Sequence, residues 1–261
     1  MKSEYLLELW RYRELFYFLV WRNLKVRYKQ TILGASWAII QPVFTMVVFT
    51  LFFGRLAKIP SDGIPYPVFS YCALLPWTYF STTLTQAGNS LVGNKNLITK
   101  IYFPRVTIPA SYALSGLLDL GLASVVLLGM MAYYQIQISW GLLLLPFLVL
   151  LLVLLVLGVG MIFSSLNVRY RDIKYCLPFI IQIWLFITPV IYPTSFLPER
   201  FRILIAFNPT CGIIEAFRAS LLPTRDVDWH LLGISVLMTL LIFISGILYF
   251  RKTEKDFADI I

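Results

Sequence analysis

The feature that most constrains this chain is a series of apolar stretches, each long enough to cross a membrane as a helix. A spanning helix needs about 20 mostly apolar residues to cross about 30 Å of hydrocarbon. Six stretches meet this requirement: residues 34–54, 68–92, 107–134, 142–166, 175–192 and 231–250. They leave no segment for an independent soluble catalytic domain. The sequence therefore predicts an all-α integral membrane protein with six transmembrane helices.

Charged residues are too scarce for an ordinary soluble protein. They make up 13% of the chain against 59% hydrophobic residues, whereas soluble domains average about 25% charged residues. A net charge of +9 in a soluble protein suggests a nucleic-acid partner. In a membrane protein the same charge reflects how Lys and Arg divide across the bilayer, and we predict no nucleic-acid partner.

The distribution of Lys and Arg predicts the orientation of the chain. Of the 22 such residues, sixteen lie before residue 34, near 93–106 and 167–174, and in the C-terminal tail. The opposite side carries six, so the positive-inside rule places both termini in the cytoplasm. Six spans agree with this placement.

Two segments do not read as simple spans. Residues 1–33 mix aromatic and basic side chains, which predicts an amphipathic helix on the cytoplasmic membrane surface, separate from a transmembrane domain at 34–261. The segment Phe201–Leu222 is broken by Asn208-Pro209, and its first limb is only about 10 Å long as a helix. We therefore predict a re-entrant helix pair at about 195–225 on the outer side. The alternative is an interfacial hairpin with no role in transport.

No catalytic or nucleotide-binding motif is present in the sequence. The nearest match to a phosphate-binding loop begins at Gly246, but a Walker A loop requires glycine where Arg251 stands. The only histidine, His230, lies at a predicted membrane boundary, and the three cysteines form no CxxC pair. We predict that the chain is not an enzyme and binds no metal or cofactor itself.

Asp119 is the only acidic residue well inside a predicted span. An intramembrane charge is a candidate functional residue. A single carboxylate with no basic partner in the same membrane layer makes a poor proton relay. Two interpretations remain open: proton coupling, or a hydrogen-bonded contact to another helix such as the hydroxyl-rich stretch 68–92.

Several short motifs occur along the chain: LKVRYKQTILGASWAIIQP at 24–42, PW at 76–77, NKNLITKIYFP at 94–104, NVRYRDI at 167–173, TPVIYP at 188–193 and NP at 208–209. Together they resemble the membrane subunit of bacterial ATP-binding-cassette exporters of polysaccharide, which include the O-antigen, capsule and teichoic acid permeases. Their order and spacing cover nearly the whole chain.

This resemblance implies a homodimeric permease in the bacterial inner membrane. Two separate ATPase subunits, which carry ATP and Mg, would drive an undecaprenyl-linked glycan across the membrane. Runner-up interpretations are a drug or lipid exporter of related architecture and a proton-coupled secondary transporter.

The resemblance also implies three sets of site residues. The substrate entrance is expected at Lys25, Arg27, Tyr28 and Lys29. The loop that couples to the ATPase is expected at Asn94, Lys95, Leu97, Ile98, Lys100, Ile101 and Phe103. The pathway is expected to include Trp37, Phe44, Phe49, Trp184, Phe186 and Tyr192.

The coupling loop, the NVRYRDI motif and the pathway aromatics each have a plainer alternative. The basic loop at 94–104 also satisfies the positive-inside rule without any partner. In NVRYRDI, the alternative is that Arg169, Arg171 and Asp172 simply pair with one another at a helix end. The aromatic residues also fit an interfacial belt or ordinary packing, because aromatic residues make up 16% of the chain.

Overall fold

The computed structural model describes residues 10–29, 34–137, 140–223 and 226–257, in which the regular secondary structure is helical, with no strand. Residues 1–9 and 30–33 of the expected interfacial segment, and 224–225 of the expected re-entrant element, lie outside this range. The α-helices within it are α1 Arg13–Tyr28, α2 Trp37–Phe49, α3 Tyr66–Gly93, α4 Lys95–Lys100, α5 Thr107–Tyr133, α6 Leu145–Arg169, α7 Ile173–Ile187, α8 Glu199–Ala206, α9 Pro209–Leu221 and α10 Trp229–Thr253.

Four helical segments in the described part of the chain are long and apolar enough to cross a membrane: Trp37–Leu56, Thr107–Tyr133, Gly141–Arg169 and Trp229–Asp256. The first of these joins α2 to a π-helical segment, Thr50–Leu56. The chain is thus an all-helical, membrane-embedded protein. The expected spans at 68–92 and 175–192 correspond to α3 and α7, which are not among these four segments. The number of six spans therefore stays a prediction.

Helix α7 ends earlier than the apolar stretch 175–192 predicts. Its last residue is Ile187, and Thr188 already has extended backbone angles. The cause is Pro189, whose ring disfavours helical geometry in the residue before it. The 15 residues of α7 span about 22 Å.

Helix α3 is the centre of the bundle and packs against α5, α6 and α9. Its side chains Tyr71, Phe80 and Leu84 are fully buried. Helices α6 and α10 approach each other through glycine, because a Cβ atom at Gly246 would stand 2.4 Å from the carbonyl oxygen of Gly158. Small residues that permit such close approach are typical of membrane helix pairs. Gly246 is therefore a packing residue.

The predicted break at Asn208-Pro209 separates two short helices. Asn208 caps α9, since its side-chain oxygen accepts a hydrogen bond from the Thr210 amide at 3.1 Å. Helix α9 is buried against α3, α6 and α10, whereas the apolar side chains Phe201, Ile203 and Leu204 of α8 are exposed. The helix pair is present, and its position relative to a membrane stays a prediction.

Helix α1 packs along the first half of α5. The Asn23 side chain donates to the Ser111 hydroxyl at 2.8 Å, and Arg27 and Tyr28, one turn later, donate to Asp119. Asp119 lies about 18 Å along α5 from its first residue, Thr107, at 1.5 Å per residue. The last turn of α1 therefore lies beside the middle of a long apolar helix.

Candidate functional site

A cavity of about 200 Å³ lies between α1, α2, α3 and α5. It brings together residues that were predicted for two different parts of the site, the entrance residues Arg27 and Tyr28 and the pathway residue Trp37. We call it the inner pocket. Its polar lining comes from Arg27, Tyr28, Gln41, Thr78, Tyr79, Thr82, Gln86 and Asp119.

The inner pocket is organised around an ion pair. The Arg27 guanidinium donates hydrogen bonds to one carboxylate oxygen of Asp119 and to the side-chain oxygen of Gln86. The Tyr28 hydroxyl donates to the other carboxylate oxygen. The expectation that Asp119 has no basic partner is therefore wrong. Its partner is on α1, and α3 joins the contact through Gln86.

Both members of this ion pair are largely withdrawn from water. The side chains of Arg27 and Asp119 are 22% and 24% exposed. Desolvation of an ion pair costs several kcal/mol per ion, which the Coulomb attraction offsets only when further hydrogen bonds satisfy the remaining atoms. Tyr28 and Gln86 supply such bonds. An ionisable cluster beside the middle of an apolar helix is a functional candidate by its position.

The other two entrance residues lie outside the inner pocket. Lys25 and Lys29 are exposed, and the Lys25 ammonium lies 5.5 Å from the centre of the Trp21 ring. They add positive charge around the end of α1 without contacting the Arg27–Asp119 pair.

A polar stripe on α3 overlaps the inner pocket, whose lining includes Thr78, Thr82 and Gln86. We use the name for six half-buried side chains that share one face of the helix: Thr78, Ser81, Thr82, Thr85, Gln86 and Asn89. Several satisfy their donors inside α3; the Thr82 hydroxyl donates to the Thr78 carbonyl at 2.6 Å, for example. Hydroxyl oxygens used in this way still accept hydrogen bonds. The stripe therefore presents acceptors for weak, repeated contacts.

The predicted pathway aromatics differ in their surroundings. Trp37, Phe44 and Phe186 are exposed by 52%, 68% and 58%, and of these only Trp37 lines the inner pocket. Phe49 packs edge-on against Phe53 with 5.5 Å between ring centres. Exposure leaves Phe44 and Phe186 available to lipid, a second copy or a substrate.

Two pathway candidates are engaged in contacts within the chain. The Trp184 indole donates to Asn208 at 2.8 Å, and its ring packs edge-on against Phe80 at 5.0 Å. The Tyr192 hydroxyl donates to the Phe186 carbonyl at 3.0 Å. Trp184 therefore anchors the start of α9 to α7.

The expected coupling loop divides into an inward and an outward side. Lys95, Lys100 and Ile101 are exposed, and Leu97 is half-buried. Ile98 and Phe103 are only 4% and 2% exposed. From the sequence, the apolar side chains of this loop, Ile98 and Phe103 among them, are expected to bury in a partner. For these two the expectation is wrong, because both already pack inside the chain, in a cluster that includes Phe250 and Phe257.

Both ends of this loop are held by distant parts of the chain. Arg22 of α1 donates to the side-chain oxygen of Asn94 at 2.6 Å. At the other end, the Arg105 amide donates to the Glu254 carboxylate at 2.8 Å, and the Arg105 guanidinium donates to the Glu254 carbonyl. The loop is thus braced by α1 and by the segment after α10. Sequence reasoning missed Arg105 and Glu254, which no local spacing connects.

Arg218 is a second residue that sequence reasoning missed. It is one of the six Lys and Arg residues assigned from the sequence to the outer side, but its side chain is 5% exposed and pairs with Glu215 at 2.9 Å. It also donates to the Val190 carbonyl at 2.7 Å and lies over the Phe69 ring at 3.9 Å. Arg218 therefore ties α9 to TPVIYP and to α3. The i,i+3 spacing from Glu215 on a largely apolar helix was the available signal.

The motif NVRYRDI contributes to helix packing through its first residue, Asn167. The Asn167 amide donates to the Gly88 carbonyl and to the Asn89 side chain, each at 3.0 Å. Arg169, Arg171 and Asp172 are exposed and make no ion pair with one another. Within the described ranges, no group of three or more His, Cys, Asp and Glu residues is arranged to hold a metal ion.

Comparison with known proteins places these features in a family. The O-antigen export system permease protein RfbA of Myxococcus xanthus is 30% identical over 258 residues, 97% of each chain. A protein of the same name from Klebsiella pneumoniae is 28% identical over 92% of each chain. The polysialic acid transport protein KpsM of Escherichia coli is 24% identical over 90% of this chain and 91% of its own. Residues 14–222 match the family model described as ABC-2 type transporter. The chain therefore belongs to the membrane-embedded ABC-2 type transporter family.

Proposed function

We propose that this chain is the permease subunit of an exporter that moves a lipid-linked polysaccharide across the bacterial inner membrane. The observation that carries the proposal is the alignment with O-antigen and polysialic acid permeases over 90 to 97% of this chain. Two copies of the chain would pair, and a separate ATPase subunit on each would supply ATP and Mg.

The inner pocket suits the head of such a substrate, which we take to be an undecaprenyl pyrophosphate-linked glycan. A guanidinium and a phenol are good donors to phosphate oxygens. Exposed Lys25 and Lys29 add positive charge at the same end of α1. The exposed Tyr17, Phe18 and Val26 fit a helix in contact with lipid, as the interfacial assignment requires.

Beyond the head group, the glycan needs a surface on which it can slide. The acceptors of the polar stripe and the exposed ring of Trp37 make contacts that are individually weak. A fixed charge in the same place would trap a moving chain. We therefore place the pathway along α2 and the polar stripe of α3.

The outward side of the 94–104 loop is our proposed ATPase contact. Lys95, Lys100 and Ile101 offer two charges and an apolar side chain on a loop that is held at both ends. Such bracing would pass movement of a docked ATPase to α1 and α10. A loop that served only the positive-inside rule would not need it.

A genetic experiment tests the proposed function. Deletion of the gene should remove surface glycan and leave lipid-linked glycan on the cytoplasmic face. Recovery should require this chain and an ATPase subunit with an intact phosphate-binding lysine. Recovery with an ATPase that lacks this lysine would contradict the proposal and favour a transporter driven by an ion gradient, which a protonophore would then block.

The proposed topology has both termini in the cytoplasm and the α8–α9 pair entering and leaving on the outer side. Cysteines replacing Pro198 and Asp226, in a chain without its three native cysteines, should both react with a membrane-impermeant thiol reagent added outside. Labelling of either position only from the cytoplasm would mean that the segment crosses the membrane.

A further inference from the structure

The donors of the inner pocket already hold an anion, and that anion is part of the chain. The Asp119 carboxylate receives the Arg27 guanidinium on one oxygen and the Tyr28 hydroxyl on the other. These are the donors that a bound phosphate needs. A substrate phosphate can therefore take over these two hydrogen bonds only if Asp119 gives way.

We propose that Asp119 is an internal competitor for the phosphate of a lipid-linked substrate. In the empty protein its carboxylate occupies the donors of Arg27 and Tyr28, and an incoming phosphate displaces it. This inference rests on the proposed function. The ligand class is a phosphate group of more than one negative charge that is attached to an isoprenoid lipid.

The surroundings of the ion pair permit this exchange. The pair is about one quarter exposed and opens onto a cavity of about 200 Å³, which has room for several water molecules or a phosphate. Arg27 remains paired before and after the exchange, so no unpaired guanidinium is left inside the bundle. Thr78, Thr82 and Gln41 line the same cavity and can hydrogen-bond to water around the released carboxylate.

A built-in competitor would also give the site selectivity. Phospholipid head groups outnumber the substrate in the membrane, and many carry a single negative charge. Exchange of one monoanion for another gains little Coulomb energy, whereas a pyrophosphate brings more charge to the guanidinium. Asp119 would thus reject bulk anionic lipid at a site that must stay empty for the substrate.

Binding measurements on the purified full-length chain in nanodiscs test the inference. The probes are farnesyl pyrophosphate and inorganic pyrophosphate, in discs with and without phosphatidylglycerol. The variants are Asp119→Asn and the matched control Glu14→Gln, which removes the same charge from an exposed position on α1. A double variant, which combines Arg27→Gln with Asp119→Asn, removes both charges of the pair.

We expect Asp119→Asn to bind farnesyl pyrophosphate about tenfold more tightly than the parent chain, and to lose that binding in discs containing phosphatidylglycerol. Glu14→Gln should match the parent chain, and the double variant should bind the probe weakly while eluting as a folded protein. Inorganic pyrophosphate should bind more weakly than farnesyl pyrophosphate, because the ligand is lipid-borne.

An unchanged or weaker affinity of folded Asp119→Asn would overturn the inference, as would equal binding of inorganic and farnesyl pyrophosphate. Neither result touches the proposed function, which depends on glycan export by the parent chain in cells. If glycan export by the parent chain were disproved, the affinity comparison could still be interpreted, because it uses the purified chain alone.

Discussion

The two sides of the 94–104 loop should respond differently to the same substitution. Phe103 is 2% exposed and packs in a cluster with Ile98, Phe250 and Phe257. Truncation of a buried phenylalanine to alanine removes its packing and leaves a cavity, which costs about 3 to 5 kcal/mol. Ile101 is 54% exposed, so Ile101→Ala should cost no more than about 1 kcal/mol of the free energy of unfolding.

Coupling to the ATPase should show the opposite order, with Ile101→Ala having the larger effect. If Ile101 enters a groove of the ATPase, its truncation should remove about 1 to 2 kcal/mol of subunit binding, a factor of about 5 to 30. The assays are unfolding of the detergent-solubilised chain, affinity for the ATPase subunit, and stimulation of ATP hydrolysis. Two results would refute this assignment of the loop's sides: Ile101→Ala unfolding as readily as Phe103→Ala, or Ile101→Ala binding and stimulating the ATPase like the parent chain.

Three further outcomes are expected. Arg218→Ala should lower the free energy of unfolding by about 3 to 5 kcal/mol, because it leaves the Glu215 carboxylate, which is only 13% exposed, without its ion-pair partner. A Glu215→Ala change in the same chain should restore part of the loss. Gly246→Val should abolish accumulation of folded protein, because its Cβ atom would meet the Gly158 backbone. Gly233→Ala should be tolerated, because no atom lies within 4 Å of the position of its Cβ atom. Fluorescence-detected gel filtration distinguishes the two results. Trp37→Ala should reduce export without loss of stability, and normal surface glycan in that variant would assign the ring to packing or to the aromatic belt.

Local signals in the sequence predicted the helical class and several helix ends. Apolar stretches of spanning length predicted α2, α5, α6 and α10, and Asn208-Pro209 predicted the break between α8 and α9. Pro189 predicts the end of α7 by the same reasoning that applies to Pro209, but the apolar run of 175–192 obscured it.

Contacts between distant segments could not be predicted in this way. Arg27 and Asp119 are 92 positions apart, and no periodicity relates them. The same holds for Arg105 and Glu254, which are 149 positions apart. Tertiary packing alone decides that Asp119 has a basic partner and that the 94–104 loop is braced.

Burial within a short loop is equally hard to infer from composition. The run from Leu97 to Phe103 contains several apolar residues, and each of them is chemically suited to a partner surface. Ile98 and Phe103 instead cover the cluster formed with α10 and the segment after it, and Ile101 points outward. The helix in this segment, α4, has only 6 residues, too few for a hydrophobic period to assign its side chains to a face.

Transport of a lipid-linked glycan into inverted membrane vesicles tests the proposed function most directly. Vesicles that contain this chain and its ATPase receive radiolabelled lipid-linked glycan on their outer surface, and protection from an added glycosidase measures translocation. We predict protection that requires ATP, both subunits and an intact Arg27. Protection at the same rate without ATP, or without this chain, would contradict the proposal.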